Sequence, residues 1–295
     1  MGAELFEKKV TLDAIVSALK NVEGIVAIVL GGSHAAGFAN EKSDLDLGLY
    51  YSEKCPFNIE KVRSIASSFS VTGVPLVTDF YEWGPWVNGG SWIMTAIGKV
   101  DLLYRNIDQV QQTITDAVNG IWQHNFDQQP PFGFRSVIYL GETQVCKALF
   151  DPHHILQGLK AQITPYPAKL REVVLSDSLW LAEFTLMQCV SFASNGDTYN
   201  TVGCFTRIVN YLVHALFAIN ETYPLGDKRA VQIIRSFHRV PSKIEEKINR
   251  VLGQAGTQAY ELMESADLLK ELWQQVVALT DGQYEPRFKV IDIKS

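Results

Sequence analysis

Apolar positions along this chain change their period near its middle. As far as about residue 125, short β-branched runs alternate with segments of helical spacing; beyond it, helical spacing dominates. In the first half, Thr11–Asn21 predicts a helix with Thr11 as N-cap and Ile15 and Leu19 on one face. Val26–Leu30 and Leu45–Tyr51 are short, apolar and bounded by polar or glycine residues, so they predict buried strands. A helix is expected at Ile59–Phe69, after Pro56. Strand-like pieces return at Leu76–Tyr81, Trp92–Ile97 and Val100–Arg105, the last two as a hairpin through Gly98-Lys99. Ile107–Val118 is again helical in period. The expected result is an α+β domain over residues 1–125: a small mixed sheet with helices on one side.

Gln129-Pro130-Pro131-Phe132-Gly133 marks a break. Helical spacing then runs through Val137–Leu149, Leu156–Ala161, Pro167–Leu175, Leu179–Ser194, Thr201–Ile219, Ala230–Phe237, Ser242–Val251 and Ala255–Leu279. Ser242 and Glu245 have the spacing of a capping box. Residues 126–295 therefore predict an all-α bundle domain.

The chemistry concentrates between the first two strands. Gly31-Gly32-Ser33 follows Val26–Leu30; two residues without a Cβ let the backbone turn sharply and approach a ligand. Ser33 is expected to cap the next helix and present its hydroxyl to phosphate oxygens. Ser43-Asp44-Leu45-Asp46 then opens the second strand. Residues two apart on a strand share a face, so Asp44 and Asp46 stand side by side. Such carboxylates repel unless a cation lies between them, and oxygen ligands suit Mg²⁺. Asn88-Gly89-Gly90-Ser91 repeats the letters of the first motif but leads into a strand with no Asp-x-Asp, and predicts a turn.

Strand, Gly-Gly-Ser, spacer and Asp-x-Asp together resemble the signature of the nucleotidyltransferase superfamily. That superfamily includes DNA polymerase β, the poly(A) and CCA-adding polymerases and the aminoglycoside nucleotidyltransferases. The resemblance implies a third carboxylate on a later strand, which Asp101 supplies better than Asp79 because its flanks carry no turn residue. It implies two Mg²⁺ ions on Asp44, Asp46 and Asp101, and an NTP, expected to be ATP, held by Gly31, Gly32, Ser33 and Ser43. Related enzymes also carry a lysine at a helix-to-helix turn facing the triphosphate. Lys228, after Pro224-Leu225-Gly226, is the counterpart here, with Arg229 in reserve. Relatives that pair this domain with a helical bundle hold a small hydroxylated acceptor, such as an aminoglycoside or lincosamide antibiotic, in the cleft between the two. A protein-modifying adenylyltransferase and a non-catalytic nucleotide sensor are the alternatives.

Bulk properties narrow the acceptor. A net charge of −6 and the absence of any Lys/Arg run disfavour long nucleic acid as a partner. The four cysteines show no metal-type spacing, and adjacent His153 and His154 point in different directions. His34 is a possible phosphate contact, and Glu142 reads as a salt-bridge residue rather than a general base. No apolar run reads as a leader or a membrane span, which predicts a cytoplasmic protein with no membrane partner.

Overall fold

A computed structural model describes residues 2–40 and 43–288. They form two compact units. The first comprises the residues up to Asp116 together with Gln123–Pro165; the second comprises Ala117–Trp122 and the residues from Tyr166 onward.

The first unit runs α1 (Gly2–Leu19), β1 (Ile25–Leu30), α2 (Gly32–Ala36), β2 (Leu45–Tyr51), α3 (Ile59–Phe69), β3 (Leu76–Val77), β4 (Gly90–Thr95) and β5 (Gly98–Asn106). It continues with α4 (Ile107–Val118), β6 (His124–Asn125), β7 (Phe134–Arg135), α5 (Val137–Val145), β8 (Lys147–Phe150) and α6 (Ile155–Gln162). Six strands make one mixed sheet in the order β3-β4-β5-β2-β1-β8. Only β2 and β5 pair in parallel; the other neighbours are antiparallel.

One face of that sheet carries the core. Leu47, Leu49 and Tyr51 of β2 and Val100, Leu102 and Tyr104 of β5 are buried with Ile15 and Leu19 of α1 and Val62 and Ala66 of α3. Each of the larger aliphatic side chains contributes about 1.5–3 kcal/mol by leaving water. Because successive strand residues alternate, Asp46, Gly48 and Tyr50 and, on the neighbouring strand, Asp101, Leu103 and Arg105 project from the opposite face. Apolar burial on one side thus fixes which side receives the carboxylates.

Residues 126–165, read from sequence as the start of the helical half, group with the sheet instead. The helix expected over Val137–Leu149 stops at Val145, and Lys147–Phe150 pairs antiparallel with β1. Lys147, Ala148 and Leu149 are exposed, so no alternation marks this edge strand. Main-chain pairing with β1, rather than side-chain burial, holds it in place. Helix also stands on the second face, where Arg105 bonds Glu142 of α5.

The second unit is helical: α7 (Ala168–Ser194), α8 (Thr198–Ile219), α9 (Ala230–Ile234), α10 (Ile244–Gly253) and α11 (Ala259–Ala278). The two helices expected at Pro167–Leu175 and Leu179–Ser194 are one, because Ser178 is buried within it and Asp177 accepts the Trp122 indole N–H at 2.8 Å. The expected capping box at Ser242 is replaced: Lys243, with φ 57°, precedes α10, and Glu245 pairs with Arg235. A capping box does form at Gln258 and Glu261, opening α11. By length and composition α7 and α8 are apolar enough to cross a membrane, against the sequence expectation. In the most apolar window of each, 50% and 72% of residues respectively are buried inside the protein, as in core helices.

Candidate active site

The site is built on the second face of the sheet. Parallel pairing of β2 with β5 sets Asp46 directly opposite Asp101, and Asp44 lies just before β2 begins. Asp79 lies exposed in the turn after β3, its N–H bonded to Glu82, and takes no part. The Gly31-Gly32 turn closes over the same carboxylates. Gly31 N–H donates to the Asp46 carbonyl at 2.8 Å. Gly32 has φ +55°, and a Cβ there would stand 1.8 Å from Asp46 Oδ2. Gly32 is therefore needed both for the backbone conformation and for the closeness of the Asp46 carboxylate.

Ser33 lies inside α2 rather than capping it; the N-cap is Gly31, with no side-chain bond. Ser43 spends its hydroxyl within the loop, accepting the Asn40 N–H at 2.9 Å. His34 ties the same loop down through the Ser43 carbonyl, at 3.3 Å.

Electrostatically the three aspartates form an acidic cluster with the Lys99 ammonium set among them. Burial, followed by repulsion from Asp101 and Asp44, pushes the Asp46 carboxyl up to about 6. Burial also raises Asp101, offset only in part by Lys99. Lys99, on the same face of β5 as Asp101, donates to Asp101 Oδ2 at 2.9 Å and to Asp44 Oδ2 at 3.4 Å. Asp101 Oδ1 is buried and has no hydrogen-bond partner. Among the described residues no group of three or more His, Cys, Asp or Glu side chains is gathered as a metal cluster. The donor chemistry nonetheless fits a hard divalent cation: the available atoms are carboxylate oxygens, one of them buried without a partner, and a single ammonium bridges two of the three acids.

Three further features surround the carboxylates, of which sequence reasoning missed Lys147 and read the tryptophans as a local packing cluster. Lys147 pairs with Leu30 at the end of β1, and its ammonium donates to the His34 carbonyl at 3.3 Å, beside the Gly31–Ser33 turn. Trp92 faces Asp101 across the β4–β5 pair and is 48% exposed, with Trp83 stacked on it at 5.1 Å. Trp86, by contrast, is core, stacked on Phe134. Finally, Arg105 is buried and bonded bidentately to Glu142, at 2.9 and 3.0 Å. Glu142 is thus a salt-bridge residue as expected, though with a buried partner on the carboxylate face. Glu142→Gln is expected to lower unfolding free energy by about 1–3 kcal/mol, since Arg105 would keep a buried charge without its counter-ion. Denaturant titration checks this; an unchanged midpoint would show that Arg105 needs no counter-ion.

Lys228 belongs to the second unit. It is exposed, in the turn closed by the Ala230 N–H on the Asp227 carbonyl at 3.1 Å, and α9 starts only at Ala230. The cations expected at a helix start therefore precede it. Among the described residues His153 and His154 are not gathered with other metal-ligating side chains.

Residues 12–84 match the nucleotidyltransferase domain family, a span that includes Gly31–Ser33, Asp44 and Asp46 and ends before Asp101. Among solved structures the chain is similar to a nucleotidyltransferase-like protein from Exiguobacterium sibiricum 255-15. The sequences are 11% identical, with a TM-score of 0.46, over 92% of this chain and 78% of that one. No curated protein matches the chain.

Proposed function

We propose that this chain, whose residues 12–84 form a nucleotidyltransferase domain, transfers a nucleoside monophosphate from an NTP to a hydroxyl of a small molecule. The observation that carries this reading is the register of β2 on β5, which sets Asp46 beside Asp101 under the Gly31-Gly32 turn. Asp44, Asp46 and Asp101 would hold Mg²⁺. When bound, the metal supplies positive charge at the reacting phosphate and lowers the pKa of the acceptor hydroxyl. The chain's own residues supply position. Gly31 holds the Asp46 backbone and Gly32 lies against its carboxylate, while Ser33 and Lys147, at the same turn, would contact the phosphates of the nucleotide, with ATP the expected one. With its carboxyl raised to about 6, Asp46 is largely ionised at neutral pH and would hold a cation less well below pH 6. An attack on phosphorus that needs little covalent help from the protein depends mainly on such positioning.

The acceptor is small and not a long nucleic acid, a reading supported by the net charge of −6. Trp92 offers an exposed ring beside Asp101, on the side away from the Gly31–Ser33 turn, where a sugar or aromatic ring can stack. Trp92→Ala is expected to raise the acceptor KM about tenfold with kcat little changed, because stacking there binds ground and transition states alike. An unchanged KM would remove Trp92 from the acceptor side. All four cysteines are free thiols, in keeping with a reducing, cytoplasmic setting.

The decisive experiment incubates the protein with Mg²⁺, each of the four ribonucleoside triphosphates and a panel of hydroxylated compounds, antibiotics included. Release of pyrophosphate with mass gain on one compound supports the reading. Failure with every pair overturns the small-molecule assignment.

A further inference from the structure

We propose that Lys99 is the resident counter-cation of the carboxylate face, and that a divalent cation binds by displacing it. The inference rests on the reading that these carboxylates bind metal. Lys99 is the second residue of β5, two before Asp101, so both side chains rise from one face of the strand. Its ammonium bridges two acids, Asp101 of β5 at 2.9 Å and Asp44, just ahead of β2, at 3.4 Å. A cation centred between these oxygens must therefore occupy the space the ammonium holds, and two like charges do not share it.

The anchoring is incomplete on each side. Asp101 gives Lys99 one oxygen, while Oδ1 stays buried without a partner. Lys99 itself is a third exposed, on a flexible stem whose ammonium lies 5.6 Å from the centre of the Trp92 ring. That contact with the ring needs neither carboxylate, so it can persist when a metal takes the acids. The arrangement neutralises the acids in the metal-free chain and lets them open to a stronger cation. Lys99 is thus a positioning residue for metal entry, acting through Asp101 and Asp44.

Mn²⁺ is the probe, titrated into the nucleotide-free full chain and followed by the electron paramagnetic resonance signal of the unbound ion. Lys99→Met keeps the stem and removes the charge; it is expected to bind Mn²⁺ roughly tenfold more tightly, the weight of one charge-assisted hydrogen bond. Lys99→Arg keeps the charge and should stay near wild type, while Asp101→Asn should lose the site. The melting temperature of metal-free Lys99→Met should fall, and Mn²⁺ should raise it by more than it raises the wild type. Should Lys99→Met fold poorly, Lys99→Gln makes the same comparison. Equal affinity in wild type and Lys99→Met, with binding lost in Asp101→Asn, overturns the role of Lys99 and leaves the metal reading intact. Binding in Asp101→Asn at wild-type strength overturns both.

Discussion

Asp46→Asn is expected to lower nucleotidyl transfer roughly 10³-fold or more, while making the metal-free protein more stable. The two effects share one cause. Asp46 stands opposite Asp101 with Asp44 nearby, and burial plus that repulsion lift its carboxyl to about 6. A carboxyl whose folded pKa lies above its unfolded value of 3.8 binds its proton more tightly in the native state. At pH 7 it is ionised in both states, so its charge costs stability; as pH falls below about 6 the native state takes up the proton first, and the cost fades toward pH 3.8. The amide variant carries no such cost. Its gain at pH 7 is about 1–2 kcal/mol, the full shift being discounted for partial exposure to solvent. Asp101→Asn should lose activity similarly but gain no stability, because it also loses the Lys99 ion pair at 2.9 Å. Turnover with saturating Mg²⁺ and melting curves from pH 4 to 8 check both. Wild-type turnover in either variant would end the catalytic assignment of these carboxylates.

Gly32→Ala should be nearly as damaging without touching a charged group. Its φ of +55° lies in the left-handed region, costing a residue with a side chain about 1–2 kcal/mol. The added methyl would also stand 1.8 Å from Oδ2 and 2.6 Å from Cγ of Asp46, so the carboxylate must move. Displacing a reacting group by an ångström costs about 10²-fold in rate. Gly31→Ala is the internal control: φ there is −115°, and a Cβ would meet the Asp46 carbonyl oxygen at an ordinary 3.7 Å. Gly31→Ala should keep most of the stability and activity. Equal behaviour of the two variants in melting and turnover would show that the Asp46 side chain does not depend on this close approach.

Much of the active face could be read from the chain alone because it depends on local rules. Short apolar runs bounded by turn residues placed β1, β2, β4 and β5 within a few residues of their observed bounds, and the Gly31-Gly32 turn followed from residues that lack a Cβ. The helical character of the second half was equally legible from a period that any helix must keep. What the period could not show is which strand lies beside which. Asp46 meets Asp101 only because β2 and β5 pair in parallel, in a register set by the core packed beneath them. Lys99 read as a hairpin turn residue and Lys147 as part of a helix; both became partners of the site once β5 and β8 took their places. The β8 strand itself left no trace, since an edge strand with exposed side chains is held by main-chain bonds that every sequence can make. Sequence by itself determined the identity and spacing of Asp44 and Asp46. The tertiary structure decided which charges surround them, because an ion pair or a third carboxylate is a matter of distance across strands, and distance across strands is settled only when the sheet forms.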